Sequence, residues 1–183
     1  MNMLLALLLL AAAPATTVRL SQSGSAKVGT AAPSFGGWDL GQGKVLTLDG
    51  LRRTPFLQPL LITFGASWCK PCVEGLPRLK ALSLKHPEVR LVLIAVENDA
   101  EQAQKFVARV GIDGPVLLDK FEQVAKTYGV AGEEKMQLPR TFLVDAGGRV
   151  RAIYSVEGDD FEKVIEADLE DAKTPVRPAA DGR

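Results

Sequence analysis

Trp68-Cys69-Lys70-Pro71-Cys72 holds the only two cysteines of the chain, three positions apart. A Cys-x-x-Cys pair at the start of a helix suits two-electron exchange. The helix N-terminus stabilises a thiolate, which makes the first sulfur a good nucleophile near neutral pH. The second sulfur can then attack the mixed disulfide that forms. Other uses of the pair fit less well. A loop this short removes little entropy from the unfolded chain, so a purely structural disulfide would stabilise little. A structural zinc ion needs about four ligands, and the sequence offers two cysteines and one distant histidine, His86. Inert buried cysteines would not require Trp68 in front or Pro71 between. The pair reads as a dithiol–disulfide switch with no metal and no organic cofactor, because the electrons reside on the sulfurs.

Such a switch needs a scaffold that presents it, and the flanking residues describe one. Leu60 to Phe64 reads as a buried strand, Gly65-Ala66-Ser67 as a turn, and Glu74 to Leu84 as a helix with apolar residues at 76, 79, 82 and 84. Pro77 inside that helix should kink it. This order delivers the sulfurs to the carboxyl edge of a sheet, where open α/β folds place their chemistry. Val89 to Val96 is almost wholly apolar, as in a strand covered on both faces. Asp99 opens a helical stretch with Ala103, Phe106, Val107 and Val110 on one side, and Gly111 closes it. Pro115 to Leu118 reads as a short strand and Lys120 to Tyr128 as a helix. Thr141 to Val144 and Arg149 to Val156 form two strands around the turn Asp145-Ala146-Gly147-Gly148. Phe161 to Leu169 closes the domain as an amphipathic helix. Short apolar pieces broken by glycines between Ala31 and Asp49 suggest an N-terminal hairpin.

The composition sets the frame around this scaffold. With 183 residues, 46% of them apolar, the chain suits one domain with a normal core plus appendages. Its 22 basic and 22 acidic side chains balance without a basic block, which argues against nucleic acid and anionic membrane surfaces as partners. Met3 to Ala13 is an apolar run of eleven residues, too short to span a bilayer, which needs ~20. With the small residues Ala13-Pro14-Ala15 after it, residues 1–15 read as a cleaved secretory signal, although Met1-Asn2 carries no basic charge. Export without stable membrane insertion is the expectation. Residues 16–30 are small and polar and read as a flexible linker. Residues 31–171 form the domain, and 172–183 read as a disordered tail.

Taken together, these segments resemble the thioredoxin-like superfamily and, within it, the extracytoplasmic TlpA/ResA type of thiol–disulfide oxidoreductase. The resemblance rests on Ala32-Pro33-Ser34-Phe35, Leu46-Thr47-Leu48, Phe64 to Cys72, Leu76-Pro77, and Leu138-Pro139-Arg140-Thr141-Phe142-Leu143-Val144-Asp145. It implies an α/β, thioredoxin-like fold: a central mixed sheet flanked by helices, with an N-terminal β-hairpin extension. It also implies two partners, a disulfide-containing client protein of the cytochrome c maturation or copper-site assembly type and a membrane thiol–disulfide electron donor. Cys69, nearer the helix start and more exposed, would attack, and Cys72 would resolve. Lys70 would favour the thiolate, Pro71 would restrain the turn, and Trp68 would shield the sulfurs and offer a docking surface. The family's proline before the last hairpin is cis and packs beside the disulfide. Here that implies a cis bond at Pro139, with Leu138 presenting its backbone to an extended partner.

The chain also departs from the family. Thr63 stands where thioredoxins carry a buried Asp, and Gly75 where ResA-type proteins carry a Glu. A carboxylate of that kind helps deprotonate the resolving cysteine. Glu74 and Glu97 are the nearest substitutes, and each reads as a solvated surface residue. The stretch Ala131 to Gln137 is longer than the family's usual connection and leads into Leu138-Pro139, a position suited to partner choice. Two alternatives stay open. A peroxiredoxin-like thiol peroxidase with antioxidant activity shares the Ala-Pro-Ser-Phe opening, but Ala66 replaces the Thr that its cysteine needs. A non-enzymatic Cu(I)-binding assembly factor would use the soft thiolates, with His86 reading as a solvated loop residue.

Overall fold

The computed structural model describes residues 18–19, 22–53, 57–133, 135–155 and 160–172. Its first elements are β1 (Val18–Arg19), β2 (Gln22–Ser23), β3 (Ala26–Lys27), β4 (Gly36–Asp39), β5 (Lys44–Thr47) and α1 (Leu48–Arg53). The central part follows with β6 (Leu60–Gly65), α2 (Lys70–Lys85), β7 (Arg90–Ala95), α3 (Ala100–Val110) and β8 (Val116–Leu118). The chain then forms α4 (Gln123–Thr127), β9 (Arg140–Val144), β10 (Val150–Ser155) and α5 (Phe161–Ala172). Eight strands make one sheet in the order β1-β10-β9-β6-β7-β8-β4-β5, with β2 and β3 paired separately. β7 runs parallel to β6 and to β8, while every other neighbouring pair is antiparallel. This is the mixed sheet flanked by helices that the sequence implies, and β4–β5 is its N-terminal hairpin.

The unbroken apolar runs of β6 and β7 follow from their central place. Side chains alternate across a strand, and here both faces are covered. Leu61, Leu93 and Leu143 pack against α2, α3 and α5, while Leu60, Ile62, Phe64, Val92 and Phe142 pack against α1 and α4. Tyr128 fills the second cluster between Phe64 and Phe142, at ring-centroid distances of 5.4 and 4.9 Å, and its hydroxyl donates to the Pro33 carbonyl. Burial of this ring pushes its hydroxyl pKa well above the ordinary tyrosine value. Gly65 ends β6 where α2 presses closest. A Cβ there would lie 3.1 Å from Leu76 Cδ1 and 3.3 Å from Phe106 Cζ.

Several elements differ from the sequence reading. α2 starts at Lys70 rather than Glu74, because Cys69 supplies the cap that lets the first turn include the Cys-x-x-Cys segment. α1 has no periodic signature at its length, yet it buries Leu48 and Leu51. The stretch 16–30 is not a linker where the structure describes it. β1 pairs with the edge of β10, Ala26 is fully buried, and the Gly29 N–H donates to the Val150 carbonyl at 2.7 Å. Backbone pairing of this kind needs no apolar pattern, so the composition hides it. α5 runs to the buried Ala172, one residue past the expected domain end. The signal peptide expected over 1–15 and the rest of the tail, 173–183, lie outside the described residues.

Candidate functional site

The turn after β6 ends at Cys69, which caps α2. Its backbone is extended (φ −87°, ψ 98°), and its Sγ accepts the Cys72 N–H at 3.2 Å. The two sulfurs are bonded across a Cα–Cα distance of 5.3 Å. The first turn of α2 holds no acidic side chain, so the positive end of the helix dipole faces the sulfur. Cys69 is 5% exposed and Cys72 fully buried. Cys69 thus opens at a rim rather than on a surface, and an incoming sulfur can approach only on its side.

Around the sulfurs, the expected residues lie as follows. Trp68 is 61% exposed beside them. Lys70 and Glu74 are both exposed and 3.8 Å apart, a geometry whose attraction solvent largely screens. Pro71 stands in the first turn of α2, where a missing N–H costs nothing. The Leu138–Pro139 peptide is cis. Leu138 packs against both core clusters, including the one that contains Cys69 and Cys72. Beneath α2, on the face of β6 shared with Leu61, Thr63 and Thr141 exchange a hydroxyl hydrogen bond of 2.9 Å in complete burial. A neutral hydroxyl pair therefore occupies the place of the thioredoxin acid.

Two residues depart from the sequence reading. Glu97 is not a solvated surface residue. It is 4% exposed, and its Oε1 accepts the Ser67 N–H at the start of the dithiol turn. The alternation of β7 contains a signal for this, because 93, 95 and 97 fall on the face toward α2. His86 is not solvated either. It closes α2 at the end away from Cys69, with Nδ1 3.4 Å from Glu88 and Nε2 3.2 Å from Glu166. The 16-residue helix between histidine and dithiol spans ~24 Å, so the two cannot share an ion.

A buried Cys-x-x-Cys couple capping the helix that follows the central strand of a mixed sheet defines a thioredoxin-like thiol–disulfide exchange protein. The chain belongs to the AhpC/TSA family, whose model matches residues 28–153. It is 30% identical over 145 residues to the thiol-disulfide oxidoreductase ResA of Bacillus thuringiensis, covering 78% of this chain and 77% of that protein. The ResA of Geobacillus thermodenitrificans is also 30% identical, over 177 residues that cover 94% of this chain and 95% of that one. In structure it is similar to a thiol:disulfide interchange protein DsbE from Chlorobium tepidum, with a TM-score of 0.69 and 25% identity over 81% of this chain and 99% of that one. The protein is a thiol–disulfide oxidoreductase. No helix among the described residues is long and apolar enough to cross a membrane.

Proposed function

We propose that this protein is an exported reductant of disulfides in other extracytoplasmic proteins. The observation that carries the exchange chemistry is the capped Cys69, whose sulfur takes the Cys72 N–H while Cys72 lies deeper, and the resemblance to TlpA/ResA proteins carries its direction. In the reduced protein, the Cys69 thiolate attacks a client disulfide, and one client sulfur leaves as thiolate. Cys72, deprotonated, then attacks Cys69 Sγ, and the second client sulfur leaves. Two electrons have passed to the client, and a membrane thiol–disulfide donor restores the dithiol. Trp68 and the cis-Pro139 strand flank the client's extended segment. The resemblance to TlpA/ResA proteins favours clients of the cytochrome c maturation or copper-site assembly type. It also favours secretion through a signal over residues 1–15, and outside the cytosol the dithiol then stays reduced only with a dedicated donor. A peroxidase reading has the AhpC/TSA match in its favour, and Ala66 in place of the needed Thr against it.

Reduction potential is the measurement that tests direction. Equilibration in graded dithiol buffers with thiol trapping should place the couple near the thioredoxin value of about −270 mV. A value near −120 mV would make the protein an oxidant. In the same assay C72S should accumulate a mixed disulfide with a client protein, and C69S should form none. The opposite pattern would exchange the two roles.

A further inference from the structure

Glu97 is a buried acid that the exchange steps leave unused. It lies two residues past the end of β7, and its Oε1 holds the Ser67 N–H, two residues before Cys69. With Trp68, Asn98, Asp119, Lys120 and Glu122, among others, it lines a hollow of about 130 Å³ beside the dithiol turn. The other acids there are occupied. Asp119 accepts the Val124 and Ala125 N–H groups at 3.3 and 2.7 Å, and Glu122 lies 3.7 Å from Lys126. Of the cations, Lys120 sits 5.7 Å from the Phe121 ring centroid, and Lys70 points to Glu74 in solvent. Among the described residues Glu97 forms no ion pair.

We propose that Glu97 is a positioning residue that also sets the charge at the dithiol: it fixes the turn through Ser67 and opposes the Cys69 thiolate. The proposal rests on Cys69 being the attacking sulfur. The Glu97 carboxylate is one hydrogen bond from the Ser67 nitrogen, and Ser67 and Cys69 are two peptide units apart, so carboxylate and sulfur are separated by no more than roughly 12 Å. At that range, in a partly buried setting, one negative charge shifts a thiol pKa by roughly half a unit to one unit. The sign is upward, because a like charge disfavours the ionised form. The helix N-terminus pulls the other way. A less stabilised thiolate leaves the reduced form less favoured, so the couple stays more reducing. With Thr63 and Gly75 in place of the family's acids, Glu97 is the carboxylate that this chain builds against the dithiol turn.

The test compares isosteric charged and neutral side chains in the full chain. Glu97→Gln keeps an oxygen to accept the Ser67 N–H and removes the charge. The Cys69 thiolate pKa, read from thiolate ultraviolet absorbance, should fall by about half a unit to one unit. Equilibration against dithiothreitol above that pKa should move three- to tenfold toward the dithiol, up to about 30 mV for a two-electron couple. Glu97→Asp, which keeps the charge, should stay near the parent in both readouts. An unchanged pKa and equilibrium in E97Q overturns the proposal, and so does a shift of equal size in E97D, which would mean packing alone. Should E97Q fail to fold, the pair E97D and E97N repeats the comparison at the shorter length. A parent potential in the oxidant range would sink the reductant reading without touching this difference between charged and neutral partners.

Discussion

Thr63 and Thr141 show how one residue's identity changes the site while the fold stays the same. They face each other across β6 and β9 in register, and each hydroxyl's partner in full burial is the other, at 2.9 Å. Removing one hydroxyl strands its partner, and a buried orphan donor or acceptor costs ~1–3 kcal/mol. Removing both leaves an apolar pair of similar shape. Thr63→Val should therefore lower stability by about that amount in urea unfolding, while the double variant T63V/T141V should recover most of it. A double variant as weak as the sum of the singles would mean that packing, rather than the hydroxyl pair, decides the site. Because neither state of this pair carries charge, the reduction potential should move little in either variant, in contrast to the effect expected at Glu97.

At the scale of elements, what could be read depended on which force holds each one. β6, β7 and α3 were legible because burial imposes a pattern. The strands are apolar on both faces, and α3 has its Asp99 cap, its Gly111 in the left-handed conformation and its buried stripe of Ala103, Phe106 and Val110. The dithiol was legible for the same reason, since cap and cysteine spacing are local. β1 to β3 were not, because backbone hydrogen bonds hold them and those leave no trace in side-chain type. The burial of Glu97 was legible only in part: alternation places it on the α2 face, but it lies past the end of β7 and is covered by a turn from another part of the chain. The 131–137 segment lies between these cases. Its length marked it, and its described residues close on one another: Ala131 bridges to Met136, Gly132 donates to the Lys135 carbonyl, and Gln137 donates to that of Val130. Met136 anchors it to the core, and Leu138 follows at the edge of the dithiol cluster. Excising 132–135 and rejoining the ends should leave the reduction potential unchanged and the rate with oxidised glutathione near the parent value. The rate with a protein disulfide should change several-fold, because only a large partner reaches the loop. Equal rates with both substrates before and after excision would remove the loop from partner choice.

For the whole molecule, the redox state and the stability of the fold are one thermodynamic cycle. The equilibrium between disulfide and dithiol differs between folded and unfolded chains by the same free energy by which the two forms differ in stability. Closing a four-residue loop by a disulfide restricts the unfolded chain by about 2 kcal/mol on the loop-entropy scale. Opposing this is whatever the folded protein does to stabilise the reduced pair, chiefly the Cys72 N–H and the helix N-terminus acting on Cys69. A strong oxidant is one in which the second contribution wins, so that its reduced form is the more stable. Glu97 works against that outcome, and the first turn of α2 adds no further cation except the screened Lys70. The oxidised form should therefore be the more stable one. In calorimetry with and without excess dithiothreitol, it should melt higher, by at most about 4–8 °C for a chain of this size, the shift that the loop contribution alone would give. A reduced form that melts above the oxidised one would show that the helix terminus outweighs both the loop and Glu97, and the direction of electron flow proposed for this protein would have to be reversed.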